Sequence, residues 1–189
     1  MPFKQASLAP LDGEFKLVQR AQAGDHESFA RLYDAYMERI YRYVFLRVSD
    51  ALTAEDITAQ VFMKAWERLD TYKDDRSPFL AWLYQVARNA IIDHNRTRKT
   101  AIALEEADPA QISFSEDIDE KIDQQTRLQE IRLALQVLTE EQQQVLLLKF
   151  ANELKTPEIA RLLGKEQGAI RALQMRALQG LAKALGVME

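Results

Sequence analysis

Apolar residues recur three and four positions apart along most of the chain, with polar residues between them, the spacing of amphipathic helices. In "GDHESFARLYDAYMERIYRYVFLRV" the positions Phe29, Leu32, Tyr33, Tyr36, Ile40, Val44 and Val48 predict one helix. Asp25 is its candidate cap, with Ser28 three places on. "TAEDITAQVFMKAWERL" predicts a second helix capped by Thr53, with Ile57, Val61, Ala65 and Leu69 in an i, i+4 row. The turn-rich "DTYKDDRSP" interrupts the pattern, and "FLAWLYQVARNAIIDHNRTRK" resumes it with Phe79, Leu83, Val86 and Ala90 as the buried stripe.

Helical periodicity then lapses in "TAIALEEADPAQISFSEDIDEK", which reads as a flexible acidic linker over 100–116. From Ser115 order returns, with Ser115 and Asp117 as candidate caps, and Leu128, Ile131, Leu135 and Leu138 form one face. Near the end, "TPEIARLLGKEQGAIRALQMRALQGLAKAL" divides into a short helix, a turn around Gly164 and a longer helix from Gln167. Ile159, Leu162 and Leu163 can pack on Ile170 and Ala177, the plan of a helix-turn-helix. Few glycines and prolines and no alternating β-branched runs complete an all-α expectation. The expected domains are small helical ones over 12–99 and 117–187, joined by the linker.

Composition removes several chemistries. Without cysteine there is no disulfide, thiolate nucleophile or Cys-based zinc site. The two histidines, His26 and His94, lack metal-ligand spacing, and no glycine-rich phosphate loop occurs. The expectation is a non-enzyme with no catalytic residue, no metal and no cofactor. "MPFKQASLAPLDGEF" has no secretory pattern and no apolar run is long enough to span a bilayer, so cytoplasmic residence without membrane insertion is expected.

Charge is distributed by segment. Residues 1–99 carry 15 basic and 14 acidic side chains, residues 100–138 carry 3 and 9, and residues 139–189 carry 7 and 6. The net of −4 therefore arises in the middle, and both flanks are free to carry basic faces. Between Lys155 and Leu185 stand six basic residues and two acids. On a helical wheel Arg171, Met175, Arg176, Gln179 and Lys183 fall opposite Ile170, Ala177 and Leu181, which suits a helix lying in the major groove. A second basic run, Arg88 to Lys99, follows Tyr72, Phe79, Trp82 and Tyr84, and rings beside cations suit single-stranded nucleic acid.

These stretches, in this order, resemble a bacterial RNA polymerase sigma factor of the extracytoplasmic-function (ECF) group of the sigma-70 family, in its minimal two-lobed form. "LVQRAQAGDHESFARLYDAYMERIYRYVF" is similar to the family's opening helices and "AEDITAQVFMKAWERL" to its core-polymerase-binding helix. "PFLAWLYQVARNAIIDHNRTRK" resembles the helix that melts and reads the minus-ten element. "LTEEQQQVLLLKFANELKTPEIARLLGKEQGAIRALQMRAL" resembles the lobe that reads the minus-thirty-five element. Two departures stand out. Ala59 and Gln60 replace the family's frequent Gln-Glu, and "RALQMRAL" replaces the commoner Lys-Ser-Arg-Leu-His-Arg-Ala-Arg, keeping Arg171, Arg176 and Ala177.

The resemblance implies promoter-specific initiation with core RNA polymerase and promoter DNA as partners, and an anti-sigma factor as a candidate third. It implies Asp56, Gln60, Lys64 and Glu67 as the polymerase-binding face. It assigns minus-ten DNA to Tyr72, Lys73, Arg76, Arg88, Asn89, Arg96, Arg98 and Lys99, with the Tyr72–Ser77 turn capturing a flipped base. Minus-thirty-five DNA falls to Lys165, Gln167, Arg171, Gln174, Met175 and Arg176, and the acidic linker to the polymerase's RNA path. The competing expectation is a helix-turn-helix repressor whose N-terminal lobe dimerises or senses a ligand.

Overall fold

The computed structural model describes residues 11–48, 50–73, 78–104 and 130–186. Among them all regular structure is helical, and it falls into two lobes. The N-terminal lobe opens with α1 (Glu14–Gln22), entered through Gly13 at φ 72°, a left-handed conformation that suits glycine. In α2 (His26–Phe45) Asp25 is the cap: its carboxylate accepts the Glu27 and Ser28 amides at 3.1 and 3.3 Å and the Ser28 hydroxyl at 2.8 Å. The predicted stripe is inside, with Leu32, Ile40 and Val44 fully buried, whereas Tyr33 is 38% exposed and meets Phe62 edge-on.

Helix α3 (Ala51–Glu67) starts earlier than expected. Its cap is Asp50, whose carboxylate accepts both the amide and the hydroxyl of Thr53 at 2.8 Å, so Thr53 lies in the first turn. An ionised carboxylate has two acceptor oxygens, and here each takes one donor, Oδ1 the amide and Oδ2 the hydroxyl. Ile57, Val61 and Ala65 are buried, and Leu69 closes the row from a short 3₁₀ turn, Leu69–Thr71. Helix α3 packs against both α2 and α4 (Phe79–Leu104). The last turn of α4 includes 100–104, a stretch that the lapse in periodicity places in the linker. Ala and Leu in "TAIAL" favour helix, and the Pro and acids that suggested a tether all come later. Ser115, Asp117 and Leu128 lie outside the described residues.

The C-terminal lobe is described from α5 (130–136). Here Leu135 and Leu138 are buried as expected, but Ile131 is 46% exposed and Ala134 takes the inward position. Helix α5 ends at 136, so Leu138 approaches the core from a turn and reaches α8, where a Cβ on Gly180 would come within 2.8 Å of a Leu138 methyl. Helix α6 (Glu140–Leu146) begins with a capping box between Thr139 and Gln142 and continues as a π-helical turn, Leu147–Ala151. Helix α7 (Thr156–Leu163) ends at Gly164, whose φ of 62° turns the chain towards α8 (Gln167–Ala184). Ile159 and Leu162 of α7 and Ile170 and Ala177 of α8 are buried, which is the packing the pattern predicted.

Candidate nucleic-acid interface

The short α7, the glycine turn and the longer α8 form a helix-turn-helix, and the inward residues of α8 leave an unbroken outer face. Gln167, Arg171, Met175 and Arg176 are exposed on it, and Gln174 is half-buried at its edge. No acidic residue occurs between Gln167 and Ala184, and Met175 is 59% exposed although apolar. The Arg176 Nε–H donates back to the Ala172 carbonyl at 3.3 Å, which steadies that side chain along the helix. Lys165 differs from the others. Its ammonium lies 2.9 Å from Glu141 of α6, so it ties the turn to α6, a pairing across 24 positions that no local pattern reveals.

On the N-terminal lobe, Asp56, Gln60 and Glu67 are exposed at helical spacing on α3. Lys64 leans away from them towards α4, its ammonium 4.0 Å from Asp93. Two side chains not singled out from the sequence complete the stripe: Leu52, 74% exposed, and Met63, 63% exposed. Positions 52, 56, 60, 63 and 67 follow one another four or three apart, so the signal was present in the same periodicity. A stripe that mixes bare apolar groups with acids and an amide is suited to a protein partner.

The second basic surface is reorganised by packing. Tyr72 is 4% exposed and Phe79 and Tyr84 are fully buried, with Tyr72 edge-on to Phe79 at 5.3 Å. These three rings are core walls, and only Trp82, half-buried on Tyr72 and Phe79, keeps part of its surface outside. The Tyr84 hydroxyl is held well above its ordinary pKa by burial, as expected of an interior ring. The cause lies in α4: its buried stripe includes Phe79, Leu83 and Tyr84, and rings of that size supply the apolar area the lobe needs. Lys73, Asn89, Arg96 and Arg98 are exposed, and Arg96 touches Asp93 at 3.3 Å. Arg88 is half-buried and its guanidinium lies 2.7 Å from Glu140 of the other lobe. Arg76 and the Lys99 side chain lie outside the described residues.

Gln22, at the end of α1, was not visible from the sequence as a site residue. Its side-chain amide donates to the Leu69 carbonyl at 2.8 Å and to the Tyr72 carbonyl at 3.0 Å. It therefore braces the turn that leads into the 73–78 segment. Among the described residues no group of His, Asp and Glu side chains could hold a metal ion, and no helix is long and apolar enough to cross a membrane.

Two family models match. Sigma-70 region 2 covers residues 32–100 and sigma-70 region 4 covers residues 128–181. Among curated proteins the chain is similar to the ECF RNA polymerase sigma factor BldN of Streptomyces coelicolor, at 36% identity over 90% of this chain and 65% of BldN's length. It is also similar to the ECF RNA polymerase sigma factor SigD of Mycobacterium bovis, at 30% identity over 87% of this chain and 80% of SigD. Among solved structures the fold is shared with the sigma factor RpoE of Bartonella quintana, solved in complex with the anti-sigma factor NepR. That likeness has a TM-score of 0.62 at 21% identity and covers 86% of this chain and 99% of that one.

Proposed function

Because the chain belongs to the ECF RNA polymerase sigma factors, we propose that its two lobes divide promoter-specific initiation between them. The stripe on α3 docks on core polymerase through Leu52, Asp56, Gln60, Met63 and Glu67. The exposed cations Lys73, Arg96 and Arg98 hold backbone phosphates of the melted minus-ten strand, and Asn89 is placed beside them. Flipping a base out of the stack costs a few kcal/mol, so a phosphate grip close to the 73–78 segment offsets that cost. The outer face of α8 enters the major groove at the minus-thirty-five element, where Gln167 and Arg171 in its first turns reach base edges.

The observation that carries this reading is the pairing, in one chain, of an acid-free helix-turn-helix face with a sigma region 2 lobe. A ligand-sensing repressor would need only the first. The chemistry of bond formation belongs to the polymerase, so this chain needs no catalytic group of its own and would act where polymerase acts, in the cytoplasm. An anti-sigma partner is part of the same reading, since the similar RpoE was solved with one. The decisive test is run-off transcription from a promoter library by core polymerase with and without this protein. Specific transcripts only with both components are expected, whereas tight operator binding by the protein alone at physiological salt would support the repressor.

A further inference from the structure

Met175 stands 59% exposed on α8, although Ile170, Leu173 and Ala177 already fill the core beneath that helix. It occupies the middle of the outer face, with Arg171 one turn before it, Gln179 one turn after it and Arg176 beside it, all three exposed. The bond from Arg176 Nε–H to the Ala172 carbonyl at 3.3 Å draws that arginine back along the helix, and the methionine keeps an open position next to it. Towards the start of α8 the same side is low. Ala172 is small, and Gly168 has nothing within 4 Å of where a Cβ would stand. Glycine inside a helix weakens it, and no packing contact asks for this one, so bare backbone there leaves room for another molecule to approach closely. Met175 lies about 12 Å along the axis from Gln167, one turn beyond Arg171 and still within the part of a recognition helix that passes over base edges.

We infer that Met175 determines part of the promoter preference by packing on the C5-methyl group of a thymine in the minus-thirty-five element. The inference rests on the proposed seating of α8 in the major groove and adds the chemistry of one contact within it. A thioether donates no hydrogen bond and accepts only weakly, so it gains little from a phosphate or from the polar edge of a base. The thymine methyl is the apolar group that the major groove displays, and it separates T·A from the other pairs. Arg171 and Arg176, on either side of the methionine, supply the attraction to DNA that an apolar side chain lacks. The unbranched methionine chain can adjust to the methyl once those cations have set the register. Cytosine at that position lacks the methyl and leaves Met175 without its contact.

The test uses holoenzyme, assembled from core polymerase and the full-length chain, on a promoter recovered from the run-off library. Each thymine of the minus-thirty-five element, on either strand, is replaced singly by deoxyuridine, which pairs as thymine does but lacks the methyl. One such replacement should weaken binding about fourfold, the scale of a single methyl group withdrawn from water. With Met175→Ala the same replacement should cost nothing, whereas Met175→Leu, still apolar and of similar size, should keep most of the loss. Because the position is exposed, the alanine variant should melt with the unmodified protein. An equal deoxyuridine loss in the alanine variant overturns the contact, since the methyl then acts through the DNA or another side chain. Absence of any sensitive thymine overturns it too, as does an element with no thymine on either strand. Failure of the sigma reading itself would appear separately, as silence of the unmodified protein with core polymerase in run-off transcription.

Discussion

Asp56 and Ile57 are neighbours on α3 that face opposite ways, and substituting each with alanine should separate folding from partner binding. Ile57 is 2% exposed in the helix that packs on both α2 and α4, so truncation leaves a cavity between three helices. Large-to-small changes at such sites cost about 2–5 kcal/mol, and for a domain of this size each kcal/mol lowers the melting temperature by roughly 4–8 °C. Ile57→Ala should therefore lower the midpoint of the N-terminal lobe by at least about 8 °C. Asp56 is exposed, and surface substitutions stay within about 0.5 kcal/mol. Its alanine variant should melt with the unmodified protein yet bind core polymerase about tenfold more weakly, about 1.4 kcal/mol. Calorimetry and a titration of labelled protein with core polymerase measure the two quantities. If Asp56→Ala lowers the melting midpoint as far as Ile57→Ala does, or leaves core affinity unchanged, the outward stripe is not the polymerase face.

Three further outcomes follow from named contacts. Arg171→Ala should cost about 1–3 kcal/mol on the native minus-thirty-five element and flatten preference there, while Lys183→Ala, far along α8, should weaken all sequences alike and reduce the salt slope by about one; holoenzyme binding to single-base variants at several salt concentrations distinguishes them. Gln22→Ala should leave core affinity and minus-thirty-five preference intact but slow open-complex formation on duplex promoters more than on pre-melted ones, because it frees the Leu69 and Tyr72 carbonyls; equal slowing on both templates would refute a role in placing the turn. The Asp25 carboxyl is held below its usual pKa by the Ser28 hydroxyl, the Ser28 amide and Arg20, so its stabilisation of α2 is present above about pH 4 and lost as pH falls through the lowered value. Denaturant unfolding at a series of pH values should show the deficit of Asp25→Asn at neutral pH shrinking towards pH 3.

Much of this protein is legible in its local pattern, because helices bury one face and a period near 3.6 marks it. Leu32, Ile40, Ile57, Val61, Ile170 and Ala177 are all inside where that period puts them. The bend at Gly164 and the acid-free face of α8 are equally local, since a left-handed residue and a run of side chains are properties of short segments. Packing and long-range pairing decided the rest. Phe79 is inside where the stripe put it, but Tyr72 and Tyr84 became core walls because the space between helices had to be filled, and a ring beside a basic run carries no mark of which way it turns. Lys64 and Lys165 look like free cations along the chain, yet Asp93 and Glu141, 29 and 24 positions away, take hold of them. The brace from Gln22 to Leu69 and Tyr72 and the pair between Arg88 and Glu140 span 47, 50 and 52 positions. Such contacts depend on where whole helices come to rest, a quantity set by the sum of their buried faces and by no single one of them.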